Sequence, residues 1–599
     1  MSHYESLNMV NLRRLAIIGS GPTALYLLKH IADAANHLAS HIDRIEIFEK
    51  DIELGRGMPY SPRTTDQYNL CNIASKELPP LETPFADWLR QLDDDTLLSY
   101  GMRPGEISED ETYSRLAMGH YFADQFQAQL HKLRTAGVRI VEHANCRVAD
   151  INDQIDAESV TVVVDNGSEY EFDAVVIASG HSFDDRDQPQ AGYYASPWPI
   201  QKLLPNSNEQ WNFTIGTLGA SLSAFDVISS LAHRHGRFDD GDTMKYRANP
   251  GSGEFRFVMH AAKGWLPHLQ YEQTESFRVL YRHVRADVLE HLRDENGFLR
   301  LDTYFDQVCR PSLIKAFSSD GRDDIVEQLK ASDFGIESFA KTMTDEHEYA
   351  DAFEGMRCEF PEAKESVEQD RPIHWKEIFD DLMYTLNFHA HWMPAEDHIR
   401  FQSVVMPFLL NVIAAMPLQS ARMLLALRDA GRLELVAGRA TVVCCENGET
   451  TVDVEEGNKT TTHTYRMFVD CTGQGSLKLD EFPFASLVRS GSVRPARAEF
   501  ARSDSVKELS DCDRERLVDT DPPAYEIGGI DIDPSYRIID VDGQPNDRLY
   551  DVAFPHATGV RPYSYGLQVC ELTARMVVDY WKVNLPDATL SRQAKEIHH

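Results

Sequence analysis

Short runs dominated by apolar residues recur along this chain. Four of them lead straight to glycine: Leu15–Ile18 before Gly19, Asp173–Ser179 before Gly180, Trp211–Ile215 before Gly216, and Arg466–Val469 ahead of Gly473. Runs of this length read as strands, and Leu15–Ile18 and Asp173–Ser179, apolar without alternation along their centres, as strands buried on both faces, as in a parallel sheet. Two of the four are followed at once by helical patterning, Leu25–Ile31 after the first and Leu222 to about Arg234 after the third. Each of those helices leads to a further strand, Arg44–Glu49 and Arg256–His260. Thr112–Leu133 reads as an amphipathic helix before strands at Val138–Val141 and Arg147-Val148. A hairpin is expected over Val160–Val164, Asn166-Gly167 and Tyr170–Phe172. Thr274–Asp429 is mainly helical, and Leu433–Val436, Ala440–Cys444 and Thr451–Val454 return to strands. Leu549–Ala553 is a last strand before a helix running from Gly566 to about Tyr580.

Strand, glycine turn, helix, strand is the opening of a dinucleotide-binding unit, and here it occurs twice, each copy later closed by a strand ending in glycine. The fold class expected is α/β: two Rossmann-like dinucleotide-binding domains with a helical insertion. The first part of the first domain is expected over 11–210 and the second domain over 211–475, with the insertion at about 274–429. The C-terminal part of the first domain is expected over 476–599.

The first turn reads Gly19-Ser20-Gly21-Pro22-Thr23-Ala24. Gly19 permits the tight turn, Gly21 lets a pyrophosphate approach the backbone, and Ala24 keeps helix and sheet close. The helix N-terminus, at Thr23 and Ala24, offers free N–H groups to the phosphate. Glu49, beside Lys50, stands where an acid accepts hydrogen bonds from a ribose. The segment Gly55 to Ser61 places Arg56 near the pyrophosphate and Met58 beside it. Asn72 is a candidate for the flavin edge, Val148 and Gly180 for backbone passing the cofactor, and Gly566 and Leu567 for a helix end facing the pyrimidine ring of a flavin. The second turn is looser: Gly216 and Gly219 stand three apart, with Ser221 beyond and Gly473 at the closing strand. No acid ends the following strand, and Lys263 lies just after His260. A missing acid with a nearby cation suits a 2′-phosphate, so NADPH is expected, with NADH as the alternative.

Composition narrows the partners. There are 59 Lys and Arg against 95 Asp and Glu, a formal net charge of −36. Nucleic acid is not an expected partner, because phosphate binding needs positive charge. Of the nine cysteines Cys444 and Cys445 are adjacent and the others scattered, with no CxxC or CxxxxC pair, so neither a zinc cluster nor a redox disulfide of close-spaced type is expected. His389 and His391, two apart, do not share a helix face, and no metal is expected. The most apolar stretch, Val404–Leu418, is too short to span a bilayer and contains Pro407 and Pro417; no stable membrane insertion is expected. With no secretory signal read at the start, a cytoplasmic setting is expected.

The segments Gly19 to Ala24, Gly55 to Ser61, Asn72-Ile73-Ala74-Ser75, Ser196-Pro197-Trp198, Gly216 to Ser223, the apolar stretch near 412–427 and the Asp470 to Gly473 turn together resemble the FAD-NAD(P)-binding family of bacterial proteins. The wider group includes N-hydroxylating flavin monooxygenases. The resemblance implies FAD at the first turn and a nicotinamide nucleotide at the second, with cofactor contacts carried over at Gly19, Gly21, Glu49, Arg56 and Gly216. The expected activity is that of an FAD-dependent oxidoreductase: an NADPH-dependent monooxygenase passing one oxygen from O2 to a small nucleophilic substrate, such as an amino acid or amine, through a C4a-hydroperoxyflavin. The alternatives are a flavin oxidase or dehydrogenase with a vestigial nicotinamide domain, and a non-catalytic FAD-binding redox or scaffold protein. Arg561, Tyr563 and His556 are the candidate catalytic residues. Association into a homo-oligomer is compatible with this reading.

Overall fold

The computed structural model describes residues 10–154, 157–206, 209–241, 243–346, 349–413 and 415–585. The end of the expected C-terminal part, 586–599, lies outside them.

The chain opens with strand β1 (Arg14–Ile18), helix α1 (Pro22–Asp33) and strand β2 (Arg44–Phe48), then returns through helix α2 (Arg115–Thr135) to β3 (Arg139–His143). β1, β2 and β3 are parallel neighbours, with Leu15 opposite Ile45 and Ile45 opposite Ile140. Four of the five β1 residues are buried, which is why the run carries no polar alternation: helices cover both faces of a parallel sheet. An antiparallel sheet of β4 (Val148–Gln154), β5 (Ser159–Val164) and β6 (Glu169–Phe172) follows, and β7 (Ala174–Ile177) then pairs parallel with β1.

The second unit repeats this plan. β8 (Tyr193–Tyr194) already belongs to it, ahead of the expected boundary at 210. β9 (Thr214–Leu218), α3 (Leu222–His235) and β12 (Arg256–Ala261) form the second opening, with a small hairpin of β10 (Gly236–Asp239) and β11 (Lys245–Ala248) inserted before β12. A largely helical segment follows, including α4 (Ala352–Glu368) and α5 (His374–Asn387). Its last helix, α6 (Leu418–Asp429), leads into β13 (Leu433–Ala437) and is the counterpart of α2. The helical insertion therefore stops before α6, which belongs to the nucleotide unit itself. Antiparallel β14 (Arg439–Glu446), β15 (Glu449–Glu456) and β16 (Lys459–Tyr465) match β4–β6, and β17 (Met467–Asp470) matches β7. The two parallel cores run β3-β2-β1-β7 and β13-β12-β9-β17.

The C-terminal segment holds a three-stranded sheet of β18 (Pro495–Glu499), β19 (Leu517–Val518) and β20 (Ala524–Ile530), then β21 (Arg537–Ile539) and β22 (Pro545–Asp551). β22 pairs parallel with β7 and completes the first sheet. Helix α7 (Leu567–Asn584) lies along α1, and buried Trp581 and Tyr550 join one core with Leu15, Tyr26 and Phe122. The units are bracketed together where α3 meets the loop before α2. Half-buried Arg115 and buried Asp226 pair at 2.8 Å. Asn69 donates to Ser230 Oγ at 2.9 Å, and Tyr68 stacks on His233 at 4.0 Å. Among the described residues no helix is long and apolar enough to cross a membrane.

Candidate functional site

Both glycine turns lie at the carboxyl ends of their parallel strands, where open α/β sheets bind ligands. Gly19 has φ +99°, and a Cβ there would fall 2.6 Å from Ala178 O; its N–H donates to Phe48 O at 2.8 Å. No larger residue fits. Ser20 is buried and ties the turn to the acid: its N and Oγ both donate to Glu49 Oε2, at 3.0 and 2.7 Å. Glu49 Oε1 accepts from Asp51 N at 2.9 Å. Three of roughly four acceptor directions of the carboxylate are thus used by the protein, leaving about one for a ribose hydroxyl.

Gly21 caps α1 without any side-chain hydrogen bond, and Pro22 at the first helical position has no N–H to satisfy. The N–H groups of Thr23 and Ala24 are left for an anion. The Gly55–Tyr60 loop crosses the turn closely, since a Cβ on Gly57 would meet Pro22 Cδ at 2.9 Å. Arg56 Nε is buried and lies 2.5 Å from Glu53 Oε2, off the hydrogen-bond direction. Met58 opens a short 3-10 turn. Lys50 and Asn72 are exposed. Val148 starts β4 just beyond Cys146, whose N–H donates to Glu49 O at 2.8 Å. The second helix end arrives at the same place: Gly566, φ +95°, caps α7 without a side-chain bond ahead of buried Leu567, and the Cys570 thiol bonds to Thr23. Two uncapped helix N-termini, an acid and an arginine therefore surround one cradle, which fits a dinucleotide's pyrophosphate and ribose.

The second turn shifts the expected motif. Gly216 is not in the turn but inside β9, where a Cβ would fall 2.6 Å from the Phe468 ring and 2.9 Å from that of Tyr465. Gly216 is a glycine for strand packing. Gly219, φ +106°, donating to His260 O at 2.8 Å, is the counterpart of Gly19. Ser221 is the counterpart of Gly21, and it caps α3 without a side-chain bond. Ala261 takes the place of Glu49, so no acid stands there. His260 is buried, 2.8 Å from the Tyr465 hydroxyl, and burial and then His463 lower its pKa to about 4; it is a neutral core residue. Lys263 is exposed, 5.9 Å from the Trp265 ring. The segments that follow the two closing strands meet as well, because His181 bonds to Gln474, and the space beside Gly180 and Gly473 is open.

The three candidate catalytic residues are all buried. His556 Nδ1 lies 2.7 Å from Asp551 Oδ2 at the end of β22. Asp551 is the polar group that sequence reading missed, although an acid ending a strand beside the first site was its signal. The Tyr563 hydroxyl donates to Asp380 Oδ1 at 2.6 Å, and burial pushes its pKa up. Asp380 also pairs with Arg278 at 3.0 Å, so the insertion grips the C-terminal segment. Arg561 is 1% exposed and lies between the rings of Phe388 and Tyr536, 5.6 and 5.4 Å away. His181 and Tyr565, linked through Phe554 at 5.9 and 4.7 Å, expose surface although desolvation shifts both, His181 downward and Tyr565 upward.

Residues 16–182 match the FAD-NAD(P)-binding family and residues 285–413 the YdhS-like middle domain, so the resemblance expected from the motifs is found. The chain is 27% identical over 482 residues to uncharacterized protein YdhS of Escherichia coli (strain K12), covering 80% of this chain and 86% of that one. Among solved structures it is similar to the ornithine hydroxylase PvdA from Pseudomonas aeruginosa, at 11% identity and a TM-score of 0.46, over 96% of this chain and 100% of that one. It is likewise similar to L-lysine 6-monooxygenase from Pseudomonas syringae, at 11% identity and a TM-score of 0.46, over 96% and 99%.

Proposed function

From a first domain that matches the FAD-NAD(P)-binding family, we propose that this protein is an FAD-dependent oxidoreductase, an NADPH-dependent monooxygenase acting on a small nucleophilic substrate. The observation that carries the reading is the first cradle: Gly19 wedged against Ala178 O, Ser20 and Glu49 locked together, and two uncapped helix ends converging. FAD, when bound, supplies the two-electron chemistry and the activation of O2.

The chain's own residues bind, orient and exclude water. Thr23 and Ala24 N–H groups and Arg56 receive the pyrophosphate, and Glu49 the ribose. The N-terminus of α7 favours negative charge by about 0.3–1 kcal/mol, more where buried. Gly219 and Ser221 receive the nicotinamide nucleotide, with Lys263 for its 2′-phosphate. The Asp551–His556 pair holds its imidazole in one orientation. Val148, Gly180 and Gly473 are assigned as backbone contacts.

A second reading, a flavin oxidase or dehydrogenase with a vestigial nicotinamide domain, is favoured by one observation: Ser221 and Ala261 stand where the first site has Gly21 and Glu49. Anaerobic mixing with NADPH or NADH decides between them. We expect NADPH to bleach the flavin band faster than NADH, and no bleaching by either would sink the leading reading. Protein that takes up no FAD would sink both.

A further inference from the structure

Arg561 is almost wholly buried and has no acid for a partner among the described residues. Its Nη1 donates to the neighbouring carbonyl, Val560 O, at 3.0 Å, and its Nε has no hydrogen-bond partner. The carboxylate whose charge it feels, Asp531, is already bound to Arg494 at 2.6 Å. The rings of Phe388 and Tyr536 stabilise the cation from the sides, but a buried guanidinium still needs an anion to offset its lost hydration. With Nη1 occupied, the edge that remains is the Nε–Nη2 pair, the fork that matches a carboxylate with two parallel hydrogen bonds.

The surroundings come from the insertion. His389 is buried, with its Nδ1 unpartnered and its Nε2 3.0 Å from the Tyr281 hydroxyl. Burial and then the charge of Arg561 lower the pKa of both His389 and His391. Neutral imidazoles do not compete with Arg561 for an anion, and they offer hydrogen bonds to it. His391 is exposed to solvent, so the histidine pair reaches from buried His389 to the surface. Tyr281, 36% exposed and held at φ +66°, stands over His389 from the same side. Arg561 is five residues before Gly566, the cap of the helix assigned to the flavin.

We infer that Arg561, with His389 and His391 of the inserted helical segment, receives the carboxylate of a small organic acid, so that the insertion supplies half of the substrate site. This rests on the flavoprotein reading and names the substrate class for it. The carboxylate would be held bidentately by Nε and Nη2, leaving the rest of the molecule directed toward exposed Tyr565, whose ring lies 6.3 Å from that of Tyr563.

Propionate and its neutral isostere propionamide test this on the full-length protein by isothermal titration. We expect saturable binding of propionate and at least about tenfold weaker binding of propionamide, the range of a charge-assisted hydrogen bond. Arg561→Met should lose the preference, and Arg561→Lys, which keeps the charge but not the fork, should weaken propionate several-fold should the methionine variant not fold. Wild-type protein that binds both probes equally, or neither, overturns the inference, as does a folded methionine variant that keeps the preference. The flavin absorbance of the same samples separates the two levels. FAD-loaded protein without carboxylate preference sinks this inference alone, whereas protein that takes up no FAD sinks the reading beneath it and the inference with it.

Discussion

The two nucleotide turns share a backbone and differ in side chains. Each has a left-handed glycine, Gly19 or Gly219, donating to the carbonyl that ends the neighbouring strand. Around that common geometry the first turn is locked from inside, with buried Ser20 bridging to Glu49 and the Gly55–Tyr60 loop pressed over it. The second has Ala220 where Ser20 stands, Ser221 for Gly21 and Ala261 for Glu49. The backbone turn is the same at both; the side chains lock only the first. That contrast suits one nucleotide that stays and another that comes and goes.

The contrast is broken most forcefully at the glycines. Gly19→Val should abolish FAD binding, because its Cβ would overlap Ala178 O in a backbone region that costs a branched residue about 1–3 kcal/mol before any clash. Flavin content of the purified variant measures it. Gly219→Val should spare FAD and lose reduction by NADPH, since the nearest atom to its Cβ, 3.1 Å away, is Cys471 O, just after the closing strand β17 of the second unit itself. Loss of FAD from the second variant would mean that the two turns do not act separately.

Glu49→Ala is the next step down. It removes the acceptor of the ribose and frees Ser20, so FAD affinity should fall by about 1.5–3 kcal/mol, or about ten- to a hundredfold. Equilibrium titration of apoprotein checks this, and an unchanged Kd would leave Glu49 a purely internal brace. Lys263→Ala should raise the KM for NADPH by about five- to tenfold and leave that for NADH alone, as befits one exposed charge-assisted contact. Equal changes for both nucleotides would remove Lys263 from the 2′-phosphate.

How much of this was legible in the chain follows from where the information lies. Parallel strands buried on both faces write continuous apolar runs, so β1, β7 and β17 announce themselves, whereas β9 (Thr-Ile-Gly-Thr-Leu) carries two threonines and starts three residues beyond the expected Trp211; positive-φ turns write glycine. Gly216 was misread because a glycine packed under Tyr465 and Phe468 looks, in sequence, the same as a glycine in a turn. β16 (Lys-Thr-Thr-Thr-His-Thr-Tyr) has almost no apolar residue, because mostly polar side chains line it, and so gave no strand signal. Arg561 against Phe388, and Tyr563 against Asp380, are contacts between segments about 170 to 180 residues apart, and no local pattern carries them.

A brace outside the turns gives a pH test. Glu359 of α4 accepts from Leu269 N and lies 3.1 Å from His268 Nδ1, joining the insertion to the loop that follows β12 and carries Lys263. Although burial opposes it, the His268 and Lys376 partners and the backbone bond hold its pKa down to about 2. A carboxylate depressed in the folded state adds stability above its ordinary value near 4.5, and that stability is lost as pH falls from there through about 2. Glu359→Gln should therefore flatten the acid limb of thermal stability between those values and leave neutral-pH FAD content unchanged. An acid limb identical to wild type would show that the brace does not carry it.

The smallest and most discriminating change is at Ser221, because it asks whether the second turn is active or decayed. Its backbone is extended, φ −135°, so neither alanine nor glycine relieves strain there, and its hydroxyl makes no capping bond that a substitution would cost. If the site receives NADPH, that hydroxyl is spare for the phosphate, and Ser221→Ala should raise the KM by about three- to tenfold at constant kcat, the worth of one neutral hydrogen bond of about 0.5–1.5 kcal/mol. Ser221→Gly should do the same within a factor of about two, since it removes the same bond. A glycine variant that instead binds NADPH more tightly would identify the serine Cβ as an obstruction where Gly21 leaves room, and would favour a nicotinamide site on its way to being lost.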